Sequence, residues 1–426
     1  MSVGEEMWEL VAELYPICRS ITGDGVRQTL GLIGRHLDLD VHEVATGTPV
    51  LDWTVPREWN LHQAWVKDPS GRKVIDAARS NLHVVSYSTP VDRSMPLAEL
   101  REHLFTLPEQ PDWIPYRTSY YAESWGFCAS QRLVDSLPEG DYQVRIDATL
   151  APGQLTYAEH FLPGQTRDEV LVSCHVCHPS LANDNLSGIA VATWLAKRLG
   201  QAPRRHGYRL LFVPGTIGSI TWLARNEQHL DRVRHGLVLA CVGDPGGLTY
   251  KRSRRGTAPI DRAMAHVLQR SGRPHRVVDF SPYGYDERQY CSPGFDLPVG
   301  SLSRTPYAQY PQYHTSADDL DLVRPDAMED TLEVCWEALQ VLEADRRYSN
   351  RNPKGEPQLG RRGLYGQIGG RSDTQRRQMA MLWVLNQSDG THSLLDIAER
   401  SGLPFPLIAE TATTLEEAGL LAEASG

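Results

Sequence analysis

The segment Val170-Leu-Val-Ser-Cys-His-Val-Cys-His-Pro-Ser-Leu-Ala-Asn-Asp-Asn-Leu-Ser-Gly188 runs from an apolar stretch into two histidines and then an aspartate. Neutral imidazole and carboxylate oxygen are ligands of divalent zinc, and one carboxylate can bridge two ions about 3.5 to 4 Å apart. His175 and Asp184 supply those donors, with Asp184 placed to bridge. Taken alone, Asp184 or Asn185 serves equally well as a helix cap, with the histidines satisfied by hydrogen bonds in a core. Two later positions extend the pattern. Asp244 closes the apolar run Leu237-Val-Leu-Ala-Cys-Val-Gly, though it also suits a turn before Pro245-Gly246. His314 in Tyr313-His-Thr-Ser-Ala-Asp-Asp-Leu-Asp321 precedes acids that favour a helix N-terminus. The order His, Asp, Asp, His points to a metal centre built from His175, Asp184, Asp244 and His314.

Those residues need a scaffold that brings distant strand ends together. From about Asp168 to Arg346, apolar strands alternate with helices: Val170 to Cys174 before Ser187 to Leu199, Tyr208 to Val213 before Ile217 to Arg225, and Gly236 to Cys241 before Ile260 to Gln269. This alternation predicts a mostly parallel sheet with helices on both faces, whose ligands sit at the carboxyl ends of strands. Upstream, helical spacing over Glu5 to Cys18 and Gly25 to Leu37 precedes a short strand at His42 to Val44. The α/β domain is therefore expected to span residues 1–48 and 164–348. Residues 49–163 are rich in Pro and aromatics, with alternating runs at Leu82 to Tyr87 and Tyr142 to Asp147, and read as a β-rich inserted domain. Ser349 to Arg371 reads as a linker. Residues 372–426 carry helical patterns near Arg376 to Leu385, Ser393 to Arg400 and Pro406 to Glu417, and resemble a small winged-helix domain.

Composition narrows the function. Hydrophobic residues make up 41% and charged residues 23% of 426 residues, an ordinary globular balance for a chain long enough for two or three domains. A net charge of −10 offers no global field for a phosphate backbone, so nucleic acid is not the expected partner. Acids outnumber bases in the C-terminal segment as well, which favours a packing or protein-interaction role there over DNA binding. The acidic N-terminus lacks the pattern of a secretory signal, and no apolar run reaches the length of a membrane span, so a cytoplasmic location without membrane attachment is expected. Seven scattered cysteines predict reduced thiols, and Cys174 and Cys177 are expected to pack in the core. The basic run Lys251-Arg-Ser-Arg-Arg255 could hold a phosphate, but such runs are usually solvated.

Strand-His, Asp-Asn-x-Ser-Gly, strand-Asp and His-Thr-Ser together resemble the zinc aminopeptidase family, which includes glutaminyl cyclases. Nearly the whole chain is similar to a subgroup with a β-rich inserted domain and a C-terminal winged helix, through Cys177 to Gly188, Pro214 to Ile220 and Asp286 to Gln289. The resemblance implies a zinc-exopeptidase-like α/β fold and one or two zinc ions, His175, Asp184 and Asp244 holding one and Asp184 with His314 contributing to a second. Two departures bear on mechanism. The family's His-x-Asp becomes His175-Val-Cys177, with His178 as a competing imidazole. The paired glutamates expected after the strand at Arg209 to Val213 are absent, because the chain reads Pro214-Gly215-Thr216.

Hydrolysis also needs a group that passes a proton to the leaving amine. Glu287 is the candidate for a substituted base or an ammonium anchor, and it would otherwise form a salt bridge with Arg288; His178 is a second catalytic candidate. Asp286, Arg304 and Tyr313 are candidates for substrate binding. The aromatics Trp113, Tyr116, Tyr120, Tyr121 and Trp125 either line a substrate rim or make a small core. The expected function is zinc-dependent hydrolysis of an amide or peptide-like bond in a small substrate. A non-hydrolytic binding protein and a biosynthetic amide-forming or group-transfer enzyme are the alternatives, and homo-oligomer formation stays open.

Overall fold

A computed structural model describes residues 1–364 and 373–424. Residues 365–371 of the expected linker and residue 372, the expected start of the C-terminal domain, lie outside them. The chain divides into two compact units, Met1–Asp261 with Arg273–Glu333 and Arg262–Gly272 with Val334–Gly426.

The first unit is organised by an eight-stranded sheet. In chain order its strands are β1 (Asp40–Ala45), β2 (Gln154–Leu162), β3 (Glu169–His175), β4 (Gly207–Val213), β5 (Val233–Leu239), β6 (Leu248–Lys251), β7 (His275–Val278) and β8 (Val299–Ser303). Their spatial order is β1-β2-β4-β3-β5-β8-β6-β7. The centre is parallel throughout, from β4 through β3 and β5 to β8. β1 and β2 add antiparallel strands at one edge. All seven residues of β3 are buried. Because successive side chains point to opposite faces, this strand is covered on both sides, which is why it reads as a continuous apolar run. Helix α1 (Val3–Leu14) begins with a capping box between Ser2 and Glu5 and buries Met7, Leu10, Val11 and Leu14 at helical spacing; α2 (Asp24–Ile33) follows. Helices α3 (Ser187–Gly200) and α4 (Ile217–Asn226) follow β3 and β4.

The insertion forms an antiparallel sheet in the order Lys73–Asp76, Glu58–Lys67, Asp141–Ala151, Val91–Pro96. Asp141–Ala151 is half-buried in strict alternation through Tyr142, Val144, Ile146 and Ala148. Two features differ from expectation. Gln154–Leu162, inside the range assigned to the insertion, is β2 of the central sheet, so the separate sheet ends at Ala151. Leu82 to Tyr87 is not a strand: a 3-10 turn at Asn81–His83 leads into a stretch buried without interruption from Leu82 to Ser88. A segment threading a core buries every side chain, polar ones included, so its alternation of apolar and polar residues imitates a half-buried strand.

In the second unit, helices Asp373–Gln387, Leu394–Ser401 and Phe405–Glu417 accompany a three-stranded sheet of Asp389–Ser393, Arg347–Asn350 and Leu421–Glu423. The strand Arg347–Asn350 is polar and four residues long, so its membership of this sheet left no hydrophobic pattern to read. Among the described residues no helix is long and apolar enough to cross a membrane.

Candidate metal centre

β3 ends at His175, whose Nε2 lies 2.8 Å from Asp184 Oδ1. His314 Nε2 lies 3.0 Å from the other oxygen, Oδ2, and His178 Nε2 lies 4.0 Å from that same atom. Three imidazoles thus converge on one carboxylate. His175, His178 and Asp184 are buried, and their ligand atoms lie within 4.8 Å of one another, the one such group of three metal-capable side chains among the described residues. His314 reaches the cluster from a loop where its own backbone is left-handed (φ 55°). Burial alone would raise the Asp184 carboxyl, but the charge of His178 and hydrogen bonds from His175 and His314 hold it well below the usual range. Burial pushes His178 well below an ordinary histidine. Imidazoles around a buried carboxylate are a donor set that suits a zinc ion, and the residues present fit it.

The Asn183-Asp184-Asn185-Leu-Ser187-Gly188 run is a bracket that aims Asp184. The backbone N–H groups of Asn183 and Asp184 donate to Asp318 at 2.6 and 3.1 Å. Asn185 Nδ2 donates to the Leu239 carbonyl at 2.9 Å and its Oδ1 accepts from Cys241 N–H at 3.2 Å, joining the start of α3 to the end of β5. Ser187 Oγ donates to the Asn183 carbonyl at 2.7 Å. A Cβ at Gly188 would stand 2.6 Å from the Leu239 carbonyl oxygen, so only glycine allows this approach. Arg19, buried and remote in sequence, donates from Nε to the His178 carbonyl at 3.0 Å and secures the histidine loop.

Asp244, expected as a ligand, is differently engaged. Its Oδ1 accepts from Thr305 Oγ1 at 2.6 Å and Gly246 N–H at 2.8 Å, and its Oδ2 from Thr305 N–H at 3.0 Å and Asn183 Nδ2 at 3.1 Å. Four donors use the roughly four lone-pair sites of a carboxylate, and Asp244 lies outside the group of mutually close ligand atoms. It fastens the loop after β5 to the residue next to Asp184. Glu287 is also engaged: fully buried, it pairs with Lys251 rather than Arg288 through one oxygen and accepts the Tyr285 N–H at 3.1 Å on the other. Arg304 directs Nε to the Gly246 carbonyl at 2.8 Å and Nη1 to Asp330 at 2.9 Å, as a brace within the scaffold. Tyr313 does reach the cluster, stacked on His314 with ring centroids 4.0 Å apart. Asp286 is fully buried; Ser219 Oγ donates to its Oδ1 at 2.8 Å, while Oδ2 has no hydrogen-bond partner. Burial raises its carboxyl to about 6 despite the opposing charge of His175.

Sequence reasoning missed Tyr285. Its ring lies edge to face against His175, centroids 4.6 Å apart, and its hydroxyl donates to the Gly215 carbonyl at 2.9 Å. A Cβ at Gly215 would fall 2.0 Å from the Tyr285 ring, so the tyrosine fills the space beside the position where the glutamates are lacking. Cys177 completes this wall by accepting the Gly215 N–H at 3.4 Å on Sγ. The one available signal was Gly215 itself, since a glycine at a site wall implies a large neighbour. The basic run is not an anion site: Arg252 pairs with Asp279, and Arg254 and Arg255 pair with Asp296. Of the insertion's aromatics, Tyr116 packs edge-on to His178 and His314, and Tyr121 is exposed.

The chain is 50% identical over 418 residues to a Clostridium acetobutylicum protein whose name joins polysaccharide biosynthesis to an aminopeptidase-like domain, covering 98% of this chain and 96% of the relative. A crystal structure from the same organism, bearing a peptidase name, superposes with a TM-score of 0.94 at 48% identity, over 99% of this chain and 96% of its own. A zinc aminopeptidase from Bacillus subtilis shares the fold at a TM-score of 0.59 and 13% identity, over 79% of this chain and 94% of its own. The scaffold is thus aminopeptidase-like, and residues 346–423 match a winged helix-turn-helix model. Residues 8–345 match the family described as a domain of unknown function, DUF4910, and the chain belongs to that family.

Proposed function

We propose that this protein is a zinc-dependent enzyme that hydrolyses an amide or peptide-like bond in a small substrate. The observation that carries this reading is the convergence of His175, His178 and His314 on the buried carboxylate of Asp184. His175, His178 and Asp184 would hold the ion, with His314 as a further donor. Zinc in such a set supplies Lewis-acid polarisation of a carbonyl and activation of water. The chain's own residues do the rest: Tyr116 and Tyr313 wall the imidazoles, and Tyr285 with Cys177 closes the side next to Gly215. Asp286, whose buried Oδ2 has no hydrogen-bond partner and whose carboxyl burial raises to about 6, would hold a proton in mildly acidic solution.

A second reading is amide formation or group transfer in biosynthesis. It is favoured by the tyrosine ring that occupies the space beside Gly215, and by the polysaccharide-biosynthesis name of the 50% identical relative. Metal content and turnover on aminoacyl and acyl-amide substrates, compared between wild type and Asp184→Ala, test the proposal. Bound zinc with metal-dependent hydrolysis, both lost in the variant, is the expected result. Stoichiometric zinc without hydrolysis favours transfer or binding, and a protein that binds no zinc sinks the central assignment.

A further inference from the structure

The insertion carries a second concavity that the metal centre does not use. It has a volume of about 140 Å³ and is lined by Pro56, Arg57, Tyr87, Tyr120, Tyr121 and Glu123 among others. At its mouth Tyr121 is 52% exposed, and Trp53, 47% exposed, stands beside it with ring centroids 5.4 Å apart. Two large aromatics left open to solvent side by side are costly unless something covers them. Inside, Tyr87 and Tyr120 meet edge to face at 5.7 Å. Both hold left-handed backbone, at φ 70° and 31°, a conformation that bulky residues avoid unless the surrounding fold imposes it, and that gathers at binding sites. At the rim Arg57 forms an ion pair with Glu123, two planar groups rich in donors and acceptors. The pocket's wall is joined to the metal centre by packed side chains: the Tyr120 hydroxyl lies 3.0 Å from that of Tyr116, whose ring packs against His178 and His314.

We propose that this pocket is a subsite for one pyranose ring of the substrate, so that the bond acted on at the metal centre belongs to a sugar-bearing molecule. The inference rests on the reading of the centre as an enzyme site. A pyranose has an apolar face of C–H groups that lies on aromatic rings and an equator of hydroxyls that needs planar polar partners, and this pocket offers both. The volume equals that of about five waters, which suits one six-membered ring and excludes a folded peptide segment. A wholly apolar ligand would bury the rim charges of Arg57 and Glu123 without replacing their hydration.

Saturation-transfer NMR on the full chain, with zinc content measured on the same samples, tests this. The probes are the methyl glycosides of glucose, N-acetylglucosamine and glucuronic acid. Transfer to the ring C–H protons of at least one glycoside is expected, and its loss in both Trp53→Ala and Tyr121→Ala with unchanged zinc content; both side chains are exposed, so the variants should fold. No transfer to any probe, or transfer that persists in both variants, overturns the subsite. Bound zinc without transfer removes the subsite alone. Transfer without bound zinc supports the subsite while removing the reading of the metal centre.

Discussion

β3 and β5 lie side by side and parallel, and each leads to residues of the types that bind metals, yet they meet different fates. Past β3, Asp184 receives hydrogen bonds on its carboxylate, among the described residues, from imidazoles, groups that an incoming cation can recruit as ligands. Past β5, Asp244 is saturated by two backbone amides, a hydroxyl and a side-chain amide, which hold it as a structural clasp. The residue type is the same. The donors around each carboxylate separate the proposed ligand from a brace, because a metal must displace whatever already occupies the lone pairs.

The sharpest way to break this comparison is to remove each acid in turn. Asp184→Ala should abolish stoichiometric zinc and lower turnover at least about 10³-fold, roughly 4 kcal/mol in the barrier, as read by elemental analysis and steady-state kinetics. Asp244→Ala should instead cost about 3 kcal/mol of folding stability by stranding buried donors, while the zinc content per folded molecule stays unchanged. Loss of zinc from the folded molecules of that variant would make Asp244 a ligand and erase the distinction.

Smaller effects sharpen it. Gly215→Ala should destabilise the protein by about 2 kcal/mol through collision with Tyr285, and the additional change Tyr285→Ala should recover part of that loss in a thermal melt; additive penalties would count against the close packing. The smallest effect concerns His235 on β5, which burial first and His206 second push down to about 3 from 6.5. Well above pH 6.5 this histidine is neutral in both folded and unfolded chains and contributes no pH dependence. As pH falls through 6.5 the unfolded chain takes up the proton first, so stability drops, by about 1 kcal/mol between pH 7 and pH 5.5. Denaturation of His235→Gln against wild type between pH 7 and 5 should show a flatter slope in the variant.

Much of the scaffold was legible because periodicity survives burial. β3, α3, β4 and α4 fall within one or two residues of their expected bounds, and His175, Asp184 and His314 were picked out by their donor chemistry and order. Leu82 to Tyr87 was misread because its alternation of apolar and polar residues imitates a strand, whereas the whole stretch threads the core. Arg347–Asn350 went unseen because a short polar strand has no pattern.

What the sequence determined by itself was the inventory: an α/β chain with donors at several strand ends, a glycine where a carboxylate was expected, and a surplus of aromatics in the insertion. Tertiary structure alone decided which donors are free. Glu287 meets Lys251 from 36 residues away, Asp244 meets Thr305 from 61 residues away, and Tyr285 meets Gly215 from 70 residues away. Each of these contacts consumes a lone pair or fills a space that residue identity would otherwise have assigned to chemistry. Hydrogen bonds and steric contacts act over a few ångströms in space, so a role that depends on them is fixed only when the fold has chosen the neighbours.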